Sequence, residues 1–245
     1  IIGDTAALAA ACDTIFLSVP DGKVSLSVIN EVIVTNDRRA TVIIDLSTIG
    51  PAAAREANAL CKAAGITYMD APVSGGQAGA RAGTITIMIA GDRATKSAHD
   101  DILYAFAKNP FHVGEEPGQG QTVKILNNFL SGTAMVASTE AVLYGLSQGL
   151  DMKTMLDVVN VSTGQNTATA DKFPNRVLTE TFDAGFATAL LTKDVDLFVE
   201  NAKAAGTPTR VADTIGGIWN ETNEALPQSD ITLVYKYLRD GPKAE

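Results

Sequence analysis

Hydrophobic positions in the first 116 residues fall in short blocks with two spacings. Residues 13–20 contain Ile15, Phe16, Leu17 and Val19 and close on Pro20, which predicts a short buried strand ended by proline. The segments 39–46, with its run Thr41-Val42-Ile43-Ile44, and 66–70 read the same way, and 84–90 alternates in the manner of a strand. A short strand at 111–113 ends at Gly114. Between the strands, apolar residues recur at helical spacing over 4–12, 22–34 and 51–64. Asp4 or Thr5 suits the first N-cap, Pro51 suits the first turn of the third helix, and Gly65 stops it. Buried strands alternating with helices predict an α/β fold on a mostly parallel sheet.

After Pro117 the pattern becomes wholly helical. Residues 119–149 carry an uninterrupted helical period without proline, which at 1.5 Å per residue gives a helix of about 45 Å. Further helices are expected at 151–161, 166–176, 188–205, 207–223 and 228–238, and no strand. The division is therefore 1–116, an α/β domain, and 117–245, an all-α domain that begins with the long helix.

Composition narrows the class of partner. Hydrophobic residues make up 46% and charged residues 19%, enough for a packed core. A net charge of −9 leaves no basic stripe for nucleic acid and disfavours an anionic membrane surface. No apolar run is long enough to span a bilayer and no signal peptide is visible. Cys12 and Cys61 belong to no CxxC or Cys/His cluster, so the expectation is a reduced, cytoplasmic protein without a metal. The chain opens on Ile1, in what reads as the middle of an element.

Open parallel sheets take ligands outside the carboxyl ends of their strands. Three loops meet that rule: Ser18-Val19-Pro20, Asp45-Leu46-Ser47-Thr48, and Asp70-Ala71-Pro72-Val73-Ser74-Gly75-Gly76. Their Ser, Pro and Gly content also suits plain turns. The longest continues to Gly83 and lacks the Lys-Ser/Thr ending of a P-loop, which excludes nucleoside triphosphate binding by that device. Gly75, Gly79 and Gly83 could form a small packing face, or the backbone N–H groups near Ser74 could receive a carboxylate. On the long helix, Lys124 and Asn128 are four residues apart and share a face. That pair suits an active site, and equally a buried lysine snorkelling beside an amide. His99 falls on a helix surface and His112 within a strand, neither placed as a catalytic base. Lys193-Asp194 by itself reads as a surface ion pair.

Taken together and in order, Asp45-Leu46-Ser47-Thr48-Ile49-Gly50-Pro51, Asp70-Ala71-Pro72-Val73-Ser74-Gly75-Gly76, Gly118-Gln119-Gly120 with Lys124 and Asn128, and Lys193-Asp194 resemble the β-hydroxyacid dehydrogenases. That family includes 3-hydroxyisobutyrate dehydrogenase, tartronate semialdehyde reductase and the glyoxylate/succinic semialdehyde reductases. The resemblance implies a partial Rossmann-type doubly wound domain, a long interdomain helix and an all-α C-terminal domain. It implies an NAD(P)-dependent oxidoreductase that interconverts a small 3-hydroxy acid and its semialdehyde by hydride transfer. Lys124 would be the catalytic acid/base; Ser74, Gly75, Gly76 and Asn128 would hold the substrate; Val19, Pro20, Thr48 and Lys193 would touch NAD or NADP. A lysine titrates near 10.4 when unperturbed, so the role requires burial or a neighbouring dipole to lower that value.

The 6-phosphogluconate dehydrogenases carry His just before the Asn, where this chain has Asn127, and imine reductases usually lack the lysine. Members form homodimers or homotetramers, and the small residues Ser131, Gly132, Ala134, Ala137, Ser138 and Ala141 would permit close helix packing. Substrate choice would rest on pocket side chains such as Gln77, Gln165 and Asn166. The family's opening strand and GxGxxG turn are not in these 245 residues, which leaves a truncated, cofactor-dead paralogue serving as a binding or oligomerising module as the alternative.

Overall fold

The structure is a computed structural model that describes residues 3–241. The reading that the chain starts inside an element rests on Ile1 and falls outside the described residues. Two compact units divide between Ile125 and Leu126.

In the first unit the order is α1 (Thr5–Ala11), β1 (Thr14–Leu17), α2 (Gly22–Val34), β2 (Val42–Asp45), α3 (Pro51–Ala63), β3 (Thr67–Asp70), β4 (Val73–Ser74), α4 (Gly76–Ala82), β5 (Ile85–Ala90), α5 (Arg93–Ala98), α6 (Asp100–Phe106) and β6 (Ala107–Gly114). Asp4 and Asp21 cap α1 and α2, each accepting a backbone N–H three residues on, from Ala7 at 2.7 Å and Val24 at 3.0 Å. Pro51 opens α3, where its missing N–H costs nothing. At the other ends of α2 and α3, the Arg38 guanidinium donates to the carbonyls of Ile33 and Ala64, as a cation should at helix C-termini.

β1, β2 and β3 are parallel, with Leu17, Asp45 and Asp70 level at their carboxyl ends. Successive residues on β2 and β3 feed opposite faces. Ile43 and Tyr68 pack with Ile15 and Ile29 on one face, and Ile44 and Met69 pack with Ile87, Ile89 and Leu103 on the other. Each such fully buried aliphatic side chain stabilises the fold by about 2 kcal/mol. The sheet departs from the mostly parallel expectation at one place. β5 runs antiparallel to β3, through the single pair Asp70 and Ala90, and antiparallel to β4, while β6 runs parallel to β5. Between β3 and β5 the chain forms β4 and the seven-residue α4, and β4 pairs antiparallel with β5 (Val73 with Ile87, Ser74 with Thr86), so the chain returns along β5 as a hairpin instead of crossing over. The stretch expected as one long loop from Ser74 to Gly83 is therefore a strand end and a helix. The β1 strand stops at Leu17, short of Pro20, and β6 extends well beyond 111–113.

The second unit contains most of α7 (Gln119–Ser147), then α8 (Met152–Val159), a π-helix (Ala168–Val177), α9 (Thr188–Ala204), α10 (Arg210–Ala225), a 3₁₀ turn (Ile231–Leu233) and α11 (Val234–Asp240). Among the described residues it holds no strand, only the isolated bridge between Ala187 and Asp230. Its core is Trp219, Phe173, Leu191, Val195 and Met135, with Tyr235 edge-on to Phe173 at 6.0 Å. The 166–176 helix is widened to a π-helix, with Leu178 N–H reaching Phe173 O at 2.8 Å. Pro174 lies inside it, where it has no N–H to give and would crowd an α-helical carbonyl.

Candidate active site

Two buried carboxylates end β2 and β3, and both are hydrogen-bonded within the protein. Asp45 Oδ1 accepts the Ser47 N–H at 2.9 Å, and its Oδ2 accepts the hydroxyls of Ser25 and Tyr68. Burial raises the Tyr68 phenol above its ordinary value, and the nearby Asp45 and Asp70 add to the effect. Asp70 Oδ1 accepts the Gly118 N–H at 2.8 Å and its Oδ2 the Gln121 N–H at 2.9 Å. Asp70 thus satisfies N–H groups at the start of α7 that the helix itself leaves unpaired. Burial pushes its carboxyl up to about 6, with the two N–H bonds holding it back.

The two glycines of Gly118-Gln119-Gly120 make this approach possible. Gly118 has φ +89°, and a Cβ there would lie 2.8 Å from the Pro51 carbonyl oxygen. A Cβ on Gly120 would lie 2.3 Å from Met88 O and 2.8 Å from Asp70 Oδ2. Gln121, also fully buried, turns its side chain to the loop after β2. Its Oε1 accepts the N–H groups of Ile49 at 2.9 Å and Gly50 at 3.1 Å, and its Nε2 donates to Ser47 O at 2.9 Å. Ser47 Oγ in turn accepts the Val19 N–H at 2.9 Å. Val19 and Thr48 stay half-buried and Pro20 exposed, at the strand ends where open parallel sheets receive a dinucleotide. Lys124 follows one turn along α7 and is 8% exposed.

Ser74 pairs with Thr86 in the β4–β5 ladder, and Gly75 (φ +129°) and Gly76 (φ +62°) turn the chain into α4. Both glycines are exposed, whereas Gly79 is buried against Ile85 and Gly83 ends α4 in a left-handed conformation. The regular Gly75, Gly79, Gly83 spacing therefore does not form one packing face. His99 Nδ1 donates to Thr95 O at 2.7 Å, so its Nε2 accepts the Thr14 hydroxyl at 2.8 Å; His112 Nε2 donates to Gly91 O.

Within the second unit, Asn128 is 4% exposed and its Nδ2 donates to Asp194 Oδ2 at 2.6 Å. A carboxylate only accepts, so the amide orientation is set, and Asn128 Oδ1 takes the Asn127 Nδ2–H at 3.1 Å. Lys193 Nζ lies 3.2 Å from Asp194 Oδ1, an ionic contact that makes no directional hydrogen bond. The surface-pair reading is corrected here, because Asp194 is 3% exposed; Lys193 itself opens on a cavity of about 400 Å³ with Thr192, Asp196 and Asn220. Gln165 is exposed, and Asn166 is occupied by the Ala168 and Thr169 N–H groups at the start of the π-helix. Asn166 and the small residues Ala137, Ser138 and Ala141 line a separate, apolar cavity of about 550 Å³. Asp70, Gln121 and Asp194 were not singled out as site residues from sequence. The available signal was a carboxylate closing an apolar strand, as in Tyr68-Met69-Asp70, and an acid beside a lysine on an otherwise apolar helical face. Among the described residues no group of three His, Cys, Asp or Glu side chains is placed to hold a metal, and no helix is long and apolar enough to cross a membrane.

A doubly wound sheet with its strand-end loops tied to the start of a long helix, and an all-helical unit following, is the architecture of dinucleotide-dependent dehydrogenases. Residues 1–114 match the profile of the NAD binding domain of 6-phosphogluconate dehydrogenase, and 118–238 that of the NAD-binding domain of NADP-dependent 3-hydroxyisobutyrate dehydrogenase. The 2-(hydroxymethyl)glutarate dehydrogenase of Eubacterium barkeri is 36% identical over 203 residues, 82% of this chain and 67% of that protein. The NAD-dependent L-serine dehydrogenase of Pseudomonas aeruginosa is 35% identical over 175 residues, 69% of this chain and 58% of that protein. The structure of Mycobacterium tuberculosis 3-hydroxyisobutyrate dehydrogenase with L-serine superposes with a TM-score of 0.88 at 30% identity, covering 96% of this chain and 82% of that one. The chain belongs to the β-hydroxyacid dehydrogenase family, whose cofactor is NAD or NADP. It spans about two thirds or less of the length of the two curated relatives described.

Proposed function

We propose that this chain carries the acid/base and substrate-holding part of an NAD(P)-dependent dehydrogenase for a small 3-hydroxy acid, with the semialdehyde as product. The observation that carries the reading is Lys124, a lysine only 8% exposed, one turn beyond a helix start that Asp70 and Gln121 fasten to the strand-end loops. Bound nicotinamide supplies the hydride acceptor, and Val19, Pro20, Thr48 and Lys193 are the residues of this chain assigned to hold the cofactor. The exposed or half-buried state of Val19, Pro20 and Thr48 beyond three level strand ends fits that assignment.

In the oxidative direction, Lys124 Nζ would take the proton from the hydroxyl oxygen as hydride leaves the carbon that bears it, so the O–H and C–H bonds break together and the carbonyl forms. In reduction the ammonium returns the proton to the carbonyl oxygen. Asn128 would orient the substrate oxygen, its amide set by Asp194. The Ser74 hydroxyl and the exposed Gly75-Gly76 backbone would receive the substrate carboxylate.

The test is turnover of 3-hydroxyisobutyrate, L-serine and 2-(hydroxymethyl)glutarate by the full-length protein with NAD and NADP, and by its Lys124→Ala variant. Wild type should oxidise at least one of them. Lys124→Ala should lose at least a hundredfold in kcat with cofactor affinity little changed. Turnover like wild type in that variant sinks the lysine mechanism, and failure to bind either cofactor sinks the dehydrogenase reading.

A further inference from the structure

We propose that Gln121 is a positioning residue that sets the loop after β2 against the helix carrying Lys124, through the three hydrogen bonds of its side-chain amide. The inference rests on the Lys124 reading above.

A fully buried glutamine is an expensive choice for filling space, because its amide must be satisfied away from water. Here both ends of the amide are used on the same loop. Oε1 accepts from Ile49 and Gly50, and Nε2 donates to Ser47 O. That loop lacks means of its own to do this. Gly50 is the N-cap position of α3, has φ +83°, and makes no side-chain cap hydrogen bond, while Pro51 has no N–H. Gln121 caps α3 from 71 residues away.

The same residue is anchored at its backbone, whose N–H goes to Asp70 at the end of β3. One residue therefore joins the end of β3, the loop after β2 and α7. The connection continues, since Ser47 holds Val19 through its hydroxyl and is itself held by Asp45. Val19 and Thr48, the residues assigned to the nicotinamide cofactor, thus take their position from a side chain one turn before Lys124. Hydride transfer is steeply sensitive to such placement, a displacement of about 1 Å costing on the order of a hundredfold in rate.

Two variants of the full-length protein test this. Gln121→Met keeps the volume and removes all three hydrogen bonds; Gln121→Glu keeps the acceptor for Ile49 and Gly50 and loses the donor to Ser47 O. Binding is read by fluorescence titration with NADH and NADPH, and chemistry by kcat, KM and the primary isotope effect with substrate deuterated at the oxidised carbon. In Gln121→Met the cofactor Kd should rise about tenfold, kcat should fall at least tenfold, and the isotope effect should increase as hydride transfer becomes more rate-limiting. Gln121→Glu, which sets a carboxylate oxygen against the Ser47 carbonyl, should change Kd and kcat in the same directions at least as strongly, and it decides alone if Gln121→Met does not fold. A Kd and kcat within twofold of wild type overturn the proposal. So does a loss that follows the fraction of folded protein with Kd, KM and isotope effect unchanged. If Lys124→Ala abolishes turnover while the Gln121 variants behave as wild type, only this inference falls; if Lys124→Ala keeps turnover, the catalytic reading falls first.

Discussion

Asn128 donates its amide N–H to the buried carboxylate of Asp194 at 2.6 Å, across 66 residues of sequence, and the carboxylate fixes which way round the amide sits. Converting Asn128 to Asp would set two carboxylates against each other in a site less than a tenth exposed. The single variant should lose about 3 kcal/mol. The double variant Asn128→Asp with Asp194→Asn restores a donor facing an acceptor and should recover most of that loss. Trp219, the only tryptophan and fully buried in the same unit, gives the fluorescence signal for urea unfolding. Equal losses in the single and double variants would show that the pair does not set the amide.

Asp70 makes stability depend on pH in an unusual direction for a carboxylate. Burial raises it from an ordinary 3.8 to about 6 and outweighs the Gly118 and Gln121 N–H bonds. Between those values the folded protein holds the proton more tightly than the unfolded chain. The stability gained is complete below the unfolded value and lost as pH rises through the folded one, and it amounts to about 3 kcal/mol. Asp70→Asn removes the titrating group. The stability of wild type relative to Asp70→Asn should therefore decline between about pH 4 and pH 7, followed by urea titrations with circular dichroism. A difference that stays constant over that range would contradict the shift.

Two glycines separate close approach from backbone strain. At Gly120 a Cβ has no room, with Met88 O at 2.3 Å, so Gly120→Ala should cost about 3 kcal/mol or more and disturb the start of α7. At Gly76 nothing lies within 4 Å of an added Cβ and only the φ of +62° opposes it, so Gly76→Ala should cost about 1 kcal/mol. Thermal unfolding of both variants checks the order; equal shifts would mean that the contacts to Met88 and Asp70 relax at no cost.

Much of the fold was legible because its signals are local. Asp4 as N-cap, Pro51 in a first turn, Gly65 after α3, the two periodicities and the long α7 each depend on residues within one or two turns. The ordered motifs likewise pointed to the family, from which the proposed roles of Lys124, Asn128 and Ser74 follow. The direction of β5 was not legible, since it depends on β4 pairing back against β5, a contact that no local pattern shows. Nor was the π-helix, where one proline changes the hydrogen-bond register of an otherwise regular pattern.

By itself, then, the sequence determined most of the elements and the family, because backbone propensity and hydrophobic period act over short distances. Only the tertiary structure decided what holds them. Asp70 reaches Gly118 across 48 residues and Gln121 reaches Gly50 across 71. These bonds form between groups that water would satisfy equally well in the unfolded chain, and they become specific only where burial removes water as a partner.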